Sequence, residues 1–284
     1  MENVKQIPVQ HHHAHIASCM AENKLSRKVI GIAFDGTGYG EDKAVWGGEF
    51  LFADLKEYRR VAHFQYIPMP GGEIAIKQPW RMALSYLYFC YGEDFLNLNI
   101  EFVRKLDLDK WETIKKMLNQ KINIFLTSSA GRLFDCVSVL LNWREQTNYE
   151  GQPAIELESL ADENIKGKYD FEILKEKDIL IIHPELIIRG VVKDLTKKEE
   201  KSKIAAKFHN TIAQIINDVS ARLKKEYDLN DVCLSGGVFQ NIFLLDRTYH
   251  LLEENKFKVY AHHQVPTNDG GISLGQAVIA NQRI

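Results

Sequence analysis

VIGIAFDGTGYG (residues 29–40) begins as an apolar, β-branched run and ends with three glycines in five residues, an aspartate in front of them. The pattern predicts a strand over 29–34 that breaks at DGTGYG into a turn made largely of backbone. AVWGGEFLFADL (44–55) and YRRVAHFQYI (58–67) follow at strand length with short polar links, so residues 29–67 read as three successive antiparallel strands. Two more glycine turns, LSGGVFQN (234–241) and NDGGISLG (268–275), stand after an apolar strand or before a helical stretch. Backbone amides at such turns cradle phosphate, and a helix N-terminus adds partial positive charge. The glycines at 36, 38 and 40 do not form GxGxxG, and no GxxxxGK[ST] occurs, which disfavours dinucleotide-binding and P-loop folds.

The remaining chain alternates helical and extended patterns, which gives an α/β class. AHIASCMAENK suits a short first helix ended by Asn23 and Lys24, and 73–90 a long one in which Pro79 sits near the start or makes a kink. Leu108, Trp111, Ile114, Met117 and Leu118 recur at helical spacing over 108–120. A Thr-Ser-Ser cap precedes an apolar helix within 127–143, and YEGQPAIELESLAD leads into a short one. The runs YDFEIL, ILIIHP and IIRGVV within 169–192 read as strands or extended links, and KDLTKKEEKSK (193–203) as a solvated loop or helix start. The clearest helix spans 203–226, with Ile204, Phe208, Ile212, Ile215, Ile216, Val219 and Leu223 on one stripe. A helix over 241–254, a strand KVYAHH and a small-residue helix after NDGG close the chain.

Apolar residues make up 45% of the 284, enough for a sizeable core, and the net charge of −2 gives no field favouring nucleic acid or an anionic membrane. Cys19, Cys90, Cys136 and Cys233 form no CxxC and are expected to be buried free thiols of a reducing, cytoplasmic environment. Neither a signal peptide nor an apolar stretch of about 18 residues occurs, so export and membrane insertion are not expected.

QHHHAH (10–15) puts His11 and His15 four apart, on one face of a helix, the spacing of paired histidine ligands. Two imidazoles hold a metal only loosely, so carboxylates must join them, and Asp35 and Asp269, each in a glycine-flanked turn, are the best donors. The residues alone leave open a metal site and a solvated, tag-like cluster. A tag is the less apt of these, because Ala14 interrupts the run and a helical pattern follows directly. Cys19, one turn after His15, is a candidate extra ligand. Asp135 and Glu156, acids in apolar helical surroundings, read as caps or surface groups, or as a pair gripping ribose hydroxyls.

QHHHAHIASCMAEN, VIGIAFDGTGYG, VWGGEF, PMPGGEIAIKQPWRMAL, TSSAGRLFD, YEGQPAIELE, FHNTIA, LSGGVFQN and VPTNDGGISLGQA run in order from residue 10 to residue 277. Together they closely resemble the C-terminal part of the hydrogenase-maturation carbamoyltransferase family, HypF. A wider resemblance extends to tRNA threonylcarbamoyl transferases and antibiotic O-carbamoyltransferases. The resemblance implies an actin-like and hexokinase-like ATPase lobe (the ASKHA, RNase H-like class) with a mixed sheet and the first lobe largely missing. Residues 1–28 would be a metal-binding helix from the end of that first lobe, and 29–284 the second, nucleotide-binding lobe.

By the same resemblance His11, His15 and Asp269 are catalytic metal ligands, with Asp35 a further ligand. Gly36, Thr37 and Gly38 would approach phosphates, and Asp135 and Glu156 would hold the ribose. Gly151, Gly236 and Gly237 would lie against the nucleotide, and Asn241 near the adenine. The implied cofactors are ATP or carbamoyl-adenylate and a divalent metal: zinc, iron, manganese or magnesium. The implied reaction carries a carbamoyl group from carbamoyl-adenylate, made from carbamoyl phosphate and ATP, to the C-terminal cysteine of HypE, for the cyanide ligands of nickel-iron hydrogenase. An upstream carbamoyl-adenylate-forming module, in this chain or a separate one, would be the other partner. The family's upstream modules would precede Met1, so a truncated or split enzyme is expected. A catalytically idle nucleotide- and metal-binding fragment that docks a partner, or an O-carbamoyltransferase, are the competing readings.

Overall fold

The computed structural model describes residues 6–284. Helix α1 (His11–Glu22) comes first, followed by β1 (Val29–Tyr39), β2 (Val45–Ala53), β3 (Tyr58–Phe64) and β4 (Ile67–Pro70). Next are α2 (Glu73–Lys77), α3 (Trp80–Tyr91), α4 (Glu101–Lys105), α5 (Leu108–Gln120), β5 (Ile124–Thr127), α6 (Ala130–Leu141) and α7 (Gln152–Leu160). The chain continues through β6 (Glu172–Glu176), β7 (Ile179–His183), α8 (Glu185–Thr196), α9 (Lys201–Tyr227), β8 (Asp231–Ser235), α10 (Ile242–Glu254), β9 (Lys258–Tyr260) and α11 (Ile272–Arg283). Among these no helix is long and apolar enough to cross a membrane.

The strands form one mixed sheet in the order β6-β7-β3-β2-β1-β8-β9, with β5 pairing β2 and β4 at one end. β2 is antiparallel to both of its neighbours, β1 and β3, as their sequence implies, while β8 joins β1 in parallel. β1 is buried on both faces, and its two faces meet different cores. Ile30, Ile32 and Phe34 join the large cluster that includes residues of α3, α6, α8 and α9. Val29 and Ala33 join a smaller one with Ile16, Cys19 and Met20 of α1. Gly31 lies on the α1 face, where a Cβ would stand 2.6 Å from Ile16 Cγ1.

Several elements depart from their sequence reading. IIRGVV is helical: Ile187, Ile188, Val191 and Val192 are the buried stripe of α8, a helical period too short in the sequence to outweigh the β-branched composition. The 73–90 helix is two, because Pro79 caps α3 after a break at Gln78. KDLTKKEEKSK is the end of α8, a short link and the start of α9. The strand expected to stop before DGTGYG continues to Tyr39 through an irregularity between Phe34 and Gly38. There the carbonyls of Asp35 and Gly36 are both met by the Ser129 hydroxyl, at 2.7 Å each, which holds the bulge against the start of α6.

Candidate metal and nucleotide site

Strand alternation decides where Asp35 points. It follows Val29, Gly31 and Ala33 on the α1 face, so its carboxylate emerges beneath the N-terminus of α1. On α1 the residues at 11, 15, 18 and 22 form one stripe that faces β1 and the segment around Asp269. Ser18 Oγ donates to Gly271 O at 2.8 Å, and Glu22 accepts from the backbone of His263 and Gln264 at 2.8 and 2.6 Å. His11 and His15 meet Asp35 and Asp269. Two glycines make the approach close enough. A Cβ on Gly38 would lie 2.4 Å from His12 Cε1, and one on Gly275 of α11 would lie 1.9 Å from Ala14 O.

His11 Nε2 stands 3.1 Å from Asp35 Oδ2 and 3.3 Å from Asp269 Oδ1. His15 Nε2 is 3.5 and 3.3 Å from the same two oxygens, and 3.2 Å from His11 Nε2. Nitrogen and oxygen ligands about 2.0–2.2 Å from a first-row ion sit about 3.3–3.6 Å apart in a tetrahedron, and these His–His and His–Asp separations are close to that spacing. The charges agree. Burial works against a charged His15, yet hydrogen bonds to Asp269 and Asp35 raise its pKa to about 9. Asp35, although buried, is held well below the usual carboxylate range by His11 and His15. Two carboxylates converging on two imidazoles call for positive charge at their meeting point. A proton on His15 supplies it here, and a divalent ion, which requires neutral imidazole, would displace that proton.

His12 and His13 are not part of this set. His13 shares a 2.7 Å hydrogen bond with Asp54 O, tying α1 to the link after β2. His12 is fully buried beside Gly38 and Trp46, and burial lowers its pKa to about 4. Cys19 turns away and donates to Tyr260 O at 3.6 Å, so it is no ligand.

Beside the cluster a cleft of about 500 Å³ opens between the glycine turns, the N-terminus of α6 and α7. Of the residues singled out in the sequence, Asp35, Gly36, Thr37, Asp135, Gly151, Gly237, Asn241 and Asp269 line it. Gly38, with Thr37 and His11, lines a neighbouring and larger groove of about 810 Å³. Gly236 lies beneath at φ +102°, where a Cβ would be 2.2 Å from Phe34 O; this close crossing lets Gly237 N donate to Asp35 Oδ1 at 3.1 Å. One carboxylate thus faces the two imidazoles and the Gly-Gly turn together. Asn241 caps α10 through Leu244 N at 2.8 Å and donates to His209 Nε2 at 2.9 Å. Burial lowers the pKa of His209 to about 4, so it stays neutral and can accept.

Glu156 does not line this cleft. Its carboxylate is taken by Arg144 at 2.5 Å and Gln152 at 2.8 Å, whereas Glu158 lines the wall with Gly151, Ala154 and Ile155. The reason is helical: residues 151, 154, 155 and 158 share one face of α7 and 156 falls on another.

The sequence reading also missed the supports. Glu49, with no exposed surface, accepts from Gly47 N, Gly48 N, Ser128 Oγ and Arg60 Nε at 3.1, 3.2, 2.6 and 2.5 Å. It thereby fixes the link before α6, whose Ser129 holds the bulge of β1. Glu22, His262 and Ser235 form a chain with 2.9 Å from His262 Nδ1 to Glu22 and 2.9 Å from Nε2 to Ser235 Oγ. The connectivity is that of a nucleophile triad, but Ser235 is fully buried, so its role is to tie α1, β8 and the segment leading to Asp269. An acid inside the apolar GGEFLF run was the one local signal for Glu49; the pairing of Glu22 with His262 left none.

A mixed sheet whose central strand delivers Asp35 into a His–Asp cluster beside a glycine-walled cleft has the architecture of an ASKHA-like lobe. The family profile described as "Carbamoyltransferase, Kae1-like Domain, second subdomain" matches residues 31–276. The chain belongs to the HypF carbamoyltransferase family. Carbamoyltransferase HypF of Synechocystis sp. is 37% identical over 286 residues, covering 94% of this chain and 36% of that protein. The "Carbamoyltransferase HypF homolog" of Cupriavidus necator is 33% identical over 98% of this chain and 71% of its own length. A solved structure described as "Crystal structure of full-length HypF in the phosphate- and nucleotide-bound form" aligns with a TM-score of 0.93 at 50% identity, covering 99% of this chain and 43% of that one. The structure of T. kodakarensis HypF aligns at 0.84 and 33% identity. The chain therefore spans about a third of the Synechocystis relative.

Proposed function

We propose that this chain forms the carbamoyl-transfer site of a HypF-type enzyme. In this reading a carbamoyl-adenylate, made from carbamoyl phosphate and ATP by an upstream module, is bound here and its carbamoyl group passes to the C-terminal cysteine of HypE. The observation that carries the proposal is the juxtaposition of the four-group cluster with the glycine-walled cleft, Asp35 belonging to both. Residues 29–284 supply the cleft and α1 supplies the two imidazoles, which supports the division of the chain into a second lobe and a helix from the preceding one.

His11, His15, Asp35 and Asp269 would hold a divalent ion, which supplies Lewis acidity toward the carbamoyl carbonyl or the adjoining phosphate. The chain's own groups bind and orient. Asp135 accepts ribose hydroxyls, Gly151 and Gly237 admit the nucleotide closely, and Asn241, fixed by His209, faces the base. The partner's thiolate forms the new S–C bond as the C–O bond to the adenylate phosphate breaks, and AMP leaves with that electron pair. None of the four cysteines is needed as nucleophile, and all four are buried.

The test uses the full-length enzyme and a peptide carrying the HypE C-terminal cysteine, with thiocarbamate formation followed by mass spectrometry. His11→Ala and Asp269→Ala abolish the mass shift if the proposal holds; undiminished carbamoylation by either variant refutes it.

A further inference from the structure

Five acids line the cleft, Asp35, Asp135, Glu150, Glu158 and Asp269, and Arg132 is the one cationic side chain among its described lining residues. A phosphorylated ligand entering such a wall meets repulsion everywhere except at the metal cluster and at Arg132. The environment of Arg132 is unusual. Its side chain is 6% exposed and that of Asp135, one turn along α6, is 3% exposed, with Nη2 and Oδ2 3.0 Å apart. The pair is close but not aligned as a hydrogen bond: Nε and Nη1 of Arg132 and Oδ2 of Asp135 have no hydrogen-bond partner among the described residues. Burying a guanidinium and a carboxylate with three polar atoms unmet is costly unless something else meets them. Burial raises the pKa of Asp135 to about 6 even beside the arginine, a further sign of a poorly solvated pair.

The surroundings show what would meet them. Ser129 caps α6, accepting from Arg132 N at 3.2 Å, so the helix presents its N-terminus at this point. Gly131 abuts the β1 bulge, where a Cβ would be 2.8 Å from Gly36 Cα, and Arg132 Nη2 is the atom nearest to a Cβ built on Gly36, at 3.7 Å. The guanidinium is thus poised beside the bulge, between it and Asp135.

The geometry points to Arg132 as the residue by which this cleft distinguishes a phosphorylated nucleotide from the bare nucleoside. This rests on the nucleotide reading above and adds the group that selects the phosphate. Its guanidinium takes phosphoryl oxygens beside Gly36, and Asp135 takes a ribose hydroxyl, so the ligand satisfies both halves of the pair.

The readout is a ratio. Calorimetry with AMP and with adenosine, in chelator so that no metal contributes, gives the preference of each protein for the phosphate. The wild type prefers AMP by about tenfold or more, the worth of a charge-assisted hydrogen bond in a buried site. Arg132→Gln brings the ratio near one while adenosine affinity changes less than about threefold, and Arg132→Lys recovers part of it. Because Arg132→Gln leaves Asp135 unpaired, the double variant Arg132→Gln/Asp135→Asn provides a neutral, more foldable background in which the ratio is also near one. A ratio that stays at the wild-type value in either variant, or a wild-type ratio near one, overturns the assignment. A wild type that binds neither ligand overturns the nucleotide reading itself.

Discussion

Gly38→Ala tests whether the close approach of α1 to β1 builds the proposed metal site. The added methyl would stand 2.4 Å from His12 Cε1 and 2.7 Å from His11 Cδ2, where carbon atoms rest at about 3.5–4.0 Å. Relief therefore needs a movement of about 1 Å. His12 cannot supply it by rotating, since it is fully buried against Trp46, with ring centroids 6.1 Å apart. The N-terminal turn of α1 has to retreat instead, and it carries His11 with it. Overpacking of this kind costs about 1–3 kcal/mol of stability, which a domain with so large a core survives. Ligand sets lose function beyond about 0.5 Å of displacement, so divalent-ion affinity falls at least about tenfold, or about 1.4 kcal/mol. Zinc or cobalt titration calorimetry, run beside thermal melts with and without metal, measures both effects. A folded Gly38→Ala protein whose affinity stays within about threefold of wild type would refute the argument.

Glu49→Ala leaves Arg60 without its buried partner and releases Ser128, and it costs about 3–5 kcal/mol, the range for breaking a buried ion pair; denaturant unfolding reads the change. Gly275→Ala sets a gain in helix propensity of about 1 kcal/mol against a Cβ 1.9 Å from Ala14 O; the clash wins, and the melting temperature drops rather than rises. His209 is buried neutral with its pKa lowered to about 4. The unfolded chain binds its proton near pH 6.5 while the folded one does not, so stability present above pH 6.5 is lost as pH falls toward 4. The loss is about 3 kcal/mol at most at about 1.4 kcal/mol per unit, and it is absent from His209→Gln.

The sequence was most legible where one local period does the work. The hairpins of β1 to β3, the stripe of α9 and the four-residue spacing of His11 and His15 are each contained in a few turns or strand residues. IIRGVV failed because four apolar residues within six positions carry too little period to separate strand from helix. The bulge at Asp35 could not be read at all, since it depends on Ser129, 94 residues away in sequence. Glu156 and Glu158 are both acids in one short helix, and only the packed orientation of α7 shows which one faces the cleft. Arg132 stood in plain sight in the motif TSSAGRLFD, but its significance comes from being the single cation among the described residues of an acid-rich wall, a property of the assembled cleft.

Anomalous diffraction at the metal absorption edge, from crystals grown with a divalent ion and AMP, addresses the main claim most directly. One strong peak among His11 Nε2, His15 Nε2, Asp35 and Asp269, with nucleotide density in the cleft beside it, is the result this account predicts. A peak held by other residues, or nucleotide bound outside the cleft, would contradict it.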